Sequence, residues 1–511
     1  MTGDDAAEPF QGRFFRWTPD GKPAVIVATV EDDAWDELRA PYESRPGAPA
    51  RRNAPLNRVI EIARAHGTVT VVVERRYIDA DFRSEHARFY SGTYRRYPSV
   101  SHRLHFFSGR FDDLRAIPDH AGSYKGYAVM RPLERSPVGR TMLAPPPEMA
   151  GDVLCLAHET VSLFGWDLDV GGVPFVSQDE QFLRCAHAVQ WMVLRHAHLR
   201  HGTPRRLPVD IHDASTGGLV VGRQSPSAGL SLAQMLDGLT RLGMSPTLID
   251  LPENREASRD ERELSLFAIV CRYVNSELPP IVVSQDHARV VVGYHSARPV
   301  PEHEGMMLYV HDDARGPYIP VANPWADGDG WQLAVPPLPP KFYLTAEKAE
   351  EIGRQWYQRL CNAAGSEDGP PEEFAEAVKN GTIHYRTYAV LARDYKRDLG
   401  DRGLGEEIEY LYRFTQWPRF LWVVEAHDAE RMAKQDSVVG EIIIDPTSHQ
   451  FSDMHDAGIL ALHVCGTATT RTPDHETGRR AVWRNFQPYE TGCPPVRARA
   501  KHEDTTPGDE A

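Results

Sequence analysis

A cysteine opens an apolar helical run in this chain, and a histidine further along opens an apolar strand. The first segment is Phe175-Val-Ser-Gln-Asp-Glu-Gln-Phe-Leu-Arg-Cys185-Ala-His-Ala-Val-Gln-Trp-Met-Val-Leu194, and the second is His287-Ala-Arg-Val-Val-Val-Gly-Tyr294. A thiol at a helix N-terminus, with an imidazole delivered from a strand, suits nucleophilic chemistry. The thiolate is the reactive form, and both a helix N-terminus and a neighbouring imidazolium favour it. A lone cysteine is more often a small buried hydrophobe, so Cys185 alone means little. The carboxylate that a triad needs follows one strand later. Asp312, in Leu308-Tyr-Val-His-Asp-Asp-Ala-Arg-Gly316, lies just past an apolar strand and can accept the His287 Nδ1–H, with Asp313 as its rival. Strand alternation lets only one of the two point at the histidine. Cys, His and Asp in that order, each at the end of an element, are less easily accidental than any one of them.

These residues need elements to hold them. Apolar residues at 185, 188, 189, 192 and 193 predict a helix running to Arg195 or beyond. Ser231 to Gly243 reads as a second helix, with Ser231 as N-cap and Gly243 as stop. Leu264 to Val274 reads as a third, and strands follow at Ile281-Val-Val, Ala288 to Tyr294 and Met307 to His311. Helices first and antiparallel strands after them predict an α+β core. Proline clusters at Ala144-Pro-Pro-Pro147 and Pro336-Pro-Leu-Pro-Pro340 divide the chain into three regions. They are 1–147, an N-terminal α+β domain; 148–338, the domain of the cysteine and histidine; and 339–511, a C-terminal α+β region with a polar tail. With no long Gly/Ser tract between them, the flanks are expected to pack on the core.

The middle region resembles a known family. Pro174-Phe-Val-Ser-Gln178 and Cys185 to Leu194 look like the cysteine helix of papain-like peptidases of the C39-like group. His287 to Tyr294 is similar to the histidine strand of that group, and Val310-His-Asp312-Asp-Ala-Arg-Gly316 resembles its Asp-Pro-Ala-x-Gly turn. The resemblance covers about residues 170–335. It implies a papain-like core, with a catalytic helix packed on an antiparallel sheet. It also implies a cysteine peptidase or related acyl-transfer enzyme acting on a protein or peptide. Cys185 would be nucleophile, His287 general base and acid, and Asp312 its orienter. Gln178 would be the oxyanion donor, together with the Cys185 amide. The sequence departs from the family at Ala186, where glycine is usual, and at Asp313, where proline is usual. The spacing from Gln178 to Cys185 is long, which makes Gln181 a competing donor.

Composition narrows the alternatives. The net charge of −15 over 511 residues argues against general nucleic-acid binding. The basic-aromatic passage Arg88 to Tyr97 is expected to pack within its domain. The six cysteines show no CxxC spacing, so reduced thiols are expected. His196, His198 and His201 follow the cysteine helix, with His187 at its start, but no HExxH accompanies them. A solvated helix end, with no metal, is the expectation. No nucleotide fingerprint is present, so no cofactor is expected. No signal-like or membrane-spanning apolar run appears, and the cytoplasm is the expected location.

Overall fold

The computed structural model describes residues 12–16, 23–30, 34–43, 53–133, 136–179, 185–217, 229–250, 259–285, 287–295, 306–322, 324, 330–365, 369–432, 436–448, 458–471 and 478–496. Every strand pair among them is antiparallel. Helices and antiparallel sheets together make a mixed α+β protein.

The N-terminal sheet is a meander of six strands in chain order: β1 (Gly12–Arg16), β2 (Pro23–Thr29), β3 (Thr70–Tyr77), β4 (Ser101–Phe107), β5 (Tyr124–Met130) and β6 (Val138–Leu143). Two helices, α1 (Ala34–Glu43) and α2 (Ala54–Ala65), lie between β2 and β3, and a short α3 (Ala80–Glu85) follows β3. Asn53 starts α2 by accepting the Leu56 amide at 2.9 Å. Because strand side chains alternate, Val71 and Val73 enter the main core with α2, whereas Val72 faces a second core. That second core is closed by the hairpin β7 (Ala157–Leu163) and β8 (Trp166–Gly172), through Val161, Leu163, Leu168 and Val170. In the basic-aromatic passage, Tyr90 is buried with its hydroxyl on Asp179, and Tyr97 packs on Tyr90.

The middle region begins with α4 (Cys185–His201), α5 (Pro208–Thr216) and α6 (Leu232–Arg241). Ser231 caps α6 with a reciprocal bond from Gln234, as its sequence predicts. The short β9 (Ser245–Pro246) and β10 (Ile249–Asp250) precede α7 (Arg259–Asn275). Then come β11 (Ile281–Val283), β12 (Ala288–His295), β13 (Met307–Asp312), β14 (Gly316–Val321), β15 (Leu333–Val335) and β16 (Pro337–Leu338). The sheet order is β10-β15-β11-β12-β13-β14, so the histidine strand is central. Both α4 and α7 pack on it.

The C-terminal region carries α8 (Ala346–Cys361), α9 (Glu372–Asn380), α10 (Ala392–Arg397) and α11 (Glu406–Phe414). Its sheet runs β17 (Ile383–Leu391), β18 (Phe420–Asp428), β19 (Asp436–Ile444), β20 (Ile459–Val464), β21 (Thr467–Arg471) and β22 (Gly478–Val482), with β23 (Tyr489–Glu490) on β19.

One hydrophobic core runs through all three regions, from Ala28 to Val464. Polar joints reinforce it. Arg58 on α2 donates to the Tyr318 carbonyl at 2.8 Å, and the Tyr318 hydroxyl donates to the Leu143 carbonyl at 2.8 Å. Ser276 Oγ accepts the Ala389 amide at 2.8 Å, and the Trp422 indole donates to the Leu344 carbonyl at 2.9 Å. No helix among the described residues is long and apolar enough to cross a membrane.

Candidate active site

Cys185 is the first residue of α4 and is half-buried. Everything from Ala186 to Ala197 is buried, polar residues included. The apolar stripe read from the sequence therefore understates this helix, because it is packed on all sides. The expected solvated histidine end is corrected accordingly. His196 and His201 are buried, and burial pushes His196 well below its ordinary pKa and His201 down to about 4. The C-terminal region covers His201. Arg419 donates to the His201 carbonyl at 2.6 Å, and the His201 ring packs edge-on against Phe420. Burial likewise takes His187 down to about 3.

His287 sits in the tight connection between β11 and β12. Its carbonyl accepts both the Ser284 amide at 2.9 Å and the Ser284 hydroxyl at 3.1 Å, which fixes the residue at the strand mouth. Its Nε2 lies 3.1 Å from Asp312 Oδ1. The expectation of an Nδ1 contact with Asp312 is corrected here. Burial alone would lower the His287 pKa. Hydrogen bonds to Asp312 and Cys185, with the charges of Asp312 and Asp313, raise it to about 10. Cys185 and His287 line one cavity of about 660 Å³, with Met235, Ser284, Gln285 and Gln332 among its other walls.

Asp312 ends β13 and is 1% exposed. Its Oδ1 also accepts the Ala314 and Arg315 amides at 3.0 and 3.1 Å, and its Oδ2 accepts Arg289 Nε at 2.9 Å. Burial would raise its pKa, but the bonds from His287 and Arg289 hold it well below the usual carboxylate range. Arg289 was not singled out from sequence. Its signal was available, because it stands two residues beyond His287 and so shares that face of β12.

Asp313 also approaches the ring, with Oδ1 3.5 Å from His287 Nε2. Alternation does not separate the two carboxylates, for a local reason. The register slips between Val310 and Asp312, and Asp313 already belongs to the turn that the Arg315 amide closes onto the Asp312 carbonyl. Among the described residues neither Asp313 oxygen has a hydrogen-bond partner. Burial raises its pKa to about 7, with His287 opposing and the Asp312 charge adding.

Gln178 is half-buried between Ser177 and Asp179, which are fully buried. Arg131 donates to the Ser177 carbonyl at 2.8 Å, and Tyr90 donates to Asp179, so the N-terminal part of the chain anchors this loop. Gln178 is not among the described residues lining the Cys185 cavity. Its rival Gln181 lies outside the described residues. The described side-chain amides that do line the cavity are Gln285 and Gln332, which the sequence reading did not single out.

No family model matches the chain, and no curated protein matches it. Among solved structures, UfSP from C. elegans is similar at 14% identity and a TM-score of 0.21. The match covers 33% of this chain and 34% of that one, so the chain spans about a third of its neighbour's length.

Proposed function

We propose that this protein is a papain-like cysteine hydrolase, a peptidase or close relative, that cleaves amides through a Cys185 thioester. One observation carries the reading. Cys185 at the head of α4 shares a cavity with His287, whose Nε2 is held by the buried Asp312. The working division is an N-terminal domain (1–147), a catalytic domain (148–338) and a C-terminal region (339–511).

In this reading the Cys185 proton rests on His287, and the sulfur attacks the amide carbonyl. The C–N bond breaks as His287 passes the Nδ1 proton to the leaving amine. Water then attacks the thioester, giving its proton back to His287 and releasing the acid and the thiol. Asp312 keeps the ring oriented and stabilises the imidazolium that appears in each half-reaction. The Cys185 amide and a side-chain amide, Gln178 by family resemblance, would receive the developing oxyanion. An amine in place of water gives transamidation, and a glutamine side chain as substrate gives deamidation, by the same thioester.

The test uses the other cysteines as internal controls. Burial raises the pKa of Cys155 and Cys361, and that of Cys465 and Cys493 to about 12. At about pH 6 iodoacetamide should therefore label Cys185 far ahead of these four, and His287→Ala should abolish the preference. Equal labelling in wild type and His287→Ala would sink the reading.

A further inference from the structure

We propose that His287, Asp312 and Asp313 form a zinc-type divalent metal site whose occupation switches off the Cys185–His287 pair. The site is distinct from the α4 histidines, where the absence of HExxH argued against metal. Three potential ligand atoms, one from each residue, lie within 4.8 Å of one another. Nε2 is 3.1 Å from Asp312 Oδ1 and 3.5 Å from Asp313 Oδ1. Zinc bonds to nitrogen and oxygen of about 2.0–2.2 Å put tetrahedral neighbours about 3.3–3.5 Å apart. Those two separations lie close to that range, and the third, between the two carboxylates, is within 4.8 Å.

The independent observation is Asp313 itself. It is 1% exposed, and among the described residues neither carboxylate oxygen has a hydrogen-bond partner, the His287 Nε2 being 3.5 Å away. A buried carboxylate without donors is costly, and native proteins seldom leave one so. A cation in front of it supplies what is missing. Asp312 is already oriented as an outer shell would orient a ligand, by Arg289 on Oδ2 and two turn amides on Oδ1. Once the His287 proton is displaced, two carboxylates against one guanidinium leave the cluster a negative charge for the cation to meet.

Binding displaces the Nε2 proton to solvent and leaves Nδ1–H toward Cys185. A metal-bound imidazole keeps that proton at neutral pH and takes up no second one. It can then no longer cycle between imidazolium and imidazole. This inhibitory consequence rests on the proposed function; the metal site does not.

Titrating zinc chloride into full-length Cys185→Ala by calorimetry tests the site without the thiol. One zinc per chain is expected, weakened at least ~10-fold by adding Asp313→Asn. Cobalt in the wild-type protein should give d–d bands without a thiolate charge-transfer band. Melting curves without metal check that each variant is folded, and Asp313→Ser replaces Asp313→Asn if that one is not. Zinc binding lost in Cys185→Ala, or undiminished in the folded Asp313 variant, would overturn the proposal. Zinc uptake by a protein inert toward thiol probes and amides would sink the proposed function alone. Normal Cys185 reactivity without zinc uptake would sink this site alone.

Discussion

At the scale of single residues, the two adjacent aspartates have opposite environments. Asp312 accepts four hydrogen bonds, whereas Asp313 in the same buried corner accepts none among the described residues. The ring orientation should therefore depend on Asp312. Asp312→Asn is expected to lower kcat by about 10³–10⁴-fold, the size of effect seen when a triad carboxylate loses its charge. Asp313→Asn, in metal-free buffer, should stay within about tenfold of wild type. Steady-state rates on a fluorogenic peptide check both. A larger loss for Asp313→Asn than for Asp312→Asn would reverse the assignment. Asp312 was legible in the sequence because a strand end and a turn mark it. The unpartnered state of Asp313 was not, since it depends on which donors the fold brings near.

At the scale of elements, α4 and β12 hold the pair, and each makes a prediction. His201 is a base whose folded pKa, about 4, lies below its ordinary value of 6.5. The sign follows from proton uptake on unfolding. Its contribution to stability is full above pH 6.5 and is lost as the pH falls towards 4, by about 3 kcal/mol in all. His187 and His196 act in the same sense. Melting temperature should therefore fall between pH 7 and about pH 4.5, and less steeply in His201→Phe, which keeps a ring against Phe420. Parallel curves would remove His201 from the account. On β12, a Cβ at Gly293 would meet the Asp152 carbonyl oxygen at 2.2 Å and Val153 Cα at 2.6 Å. The chain at 152–155 is bonded there, with the Cys155 amide on the Val292 carbonyl at 3.0 Å. Both obstacles are backbone, so Gly293→Ala should cost about 1–3 kcal/mol. Urea unfolding measures it, and a neutral result would mean that segment 152–155 yields easily.

At the scale of the whole molecule, Tyr318 joins regions that the proline clusters divide. Its hydroxyl donates to Leu143 and accepts the Val173 amide, while its carbonyl takes Arg58 from α2. Tyr318→Phe leaves a buried amide and a buried carbonyl without that hydroxyl, at a cost of about 1–3 kcal/mol. Limited trypsinolysis of wild type should release no stable fragment near residues 148–338. Prompt release of such a fragment, or an unchanged melting point for Tyr318→Phe, would show that the three regions are more independent than their shared core implies.

Short-range pattern was enough to read α4, α6, α7, β11, β12 and β13, but not α5 or β14. It marked Cys185 at a helix start, His287 at a strand start and Asp312 at a strand end. Those readings rest on periodicity and end signals, which are properties of neighbouring residues. The all-round burial of α4, the choice of Nε2 over Nδ1, the convergence of both aspartates on one ring and the clamp of Arg289 were decided by tertiary structure. Each depends on groups far apart in sequence, or on a register slip that alternation alone does not foresee. The end of α4 read as solvated because its code is local; His201 is dry because Arg419 and Phe420 arrive from the C-terminal region. A side chain's environment is set by what packs over it, and in this protein much of that comes from other regions of the chain.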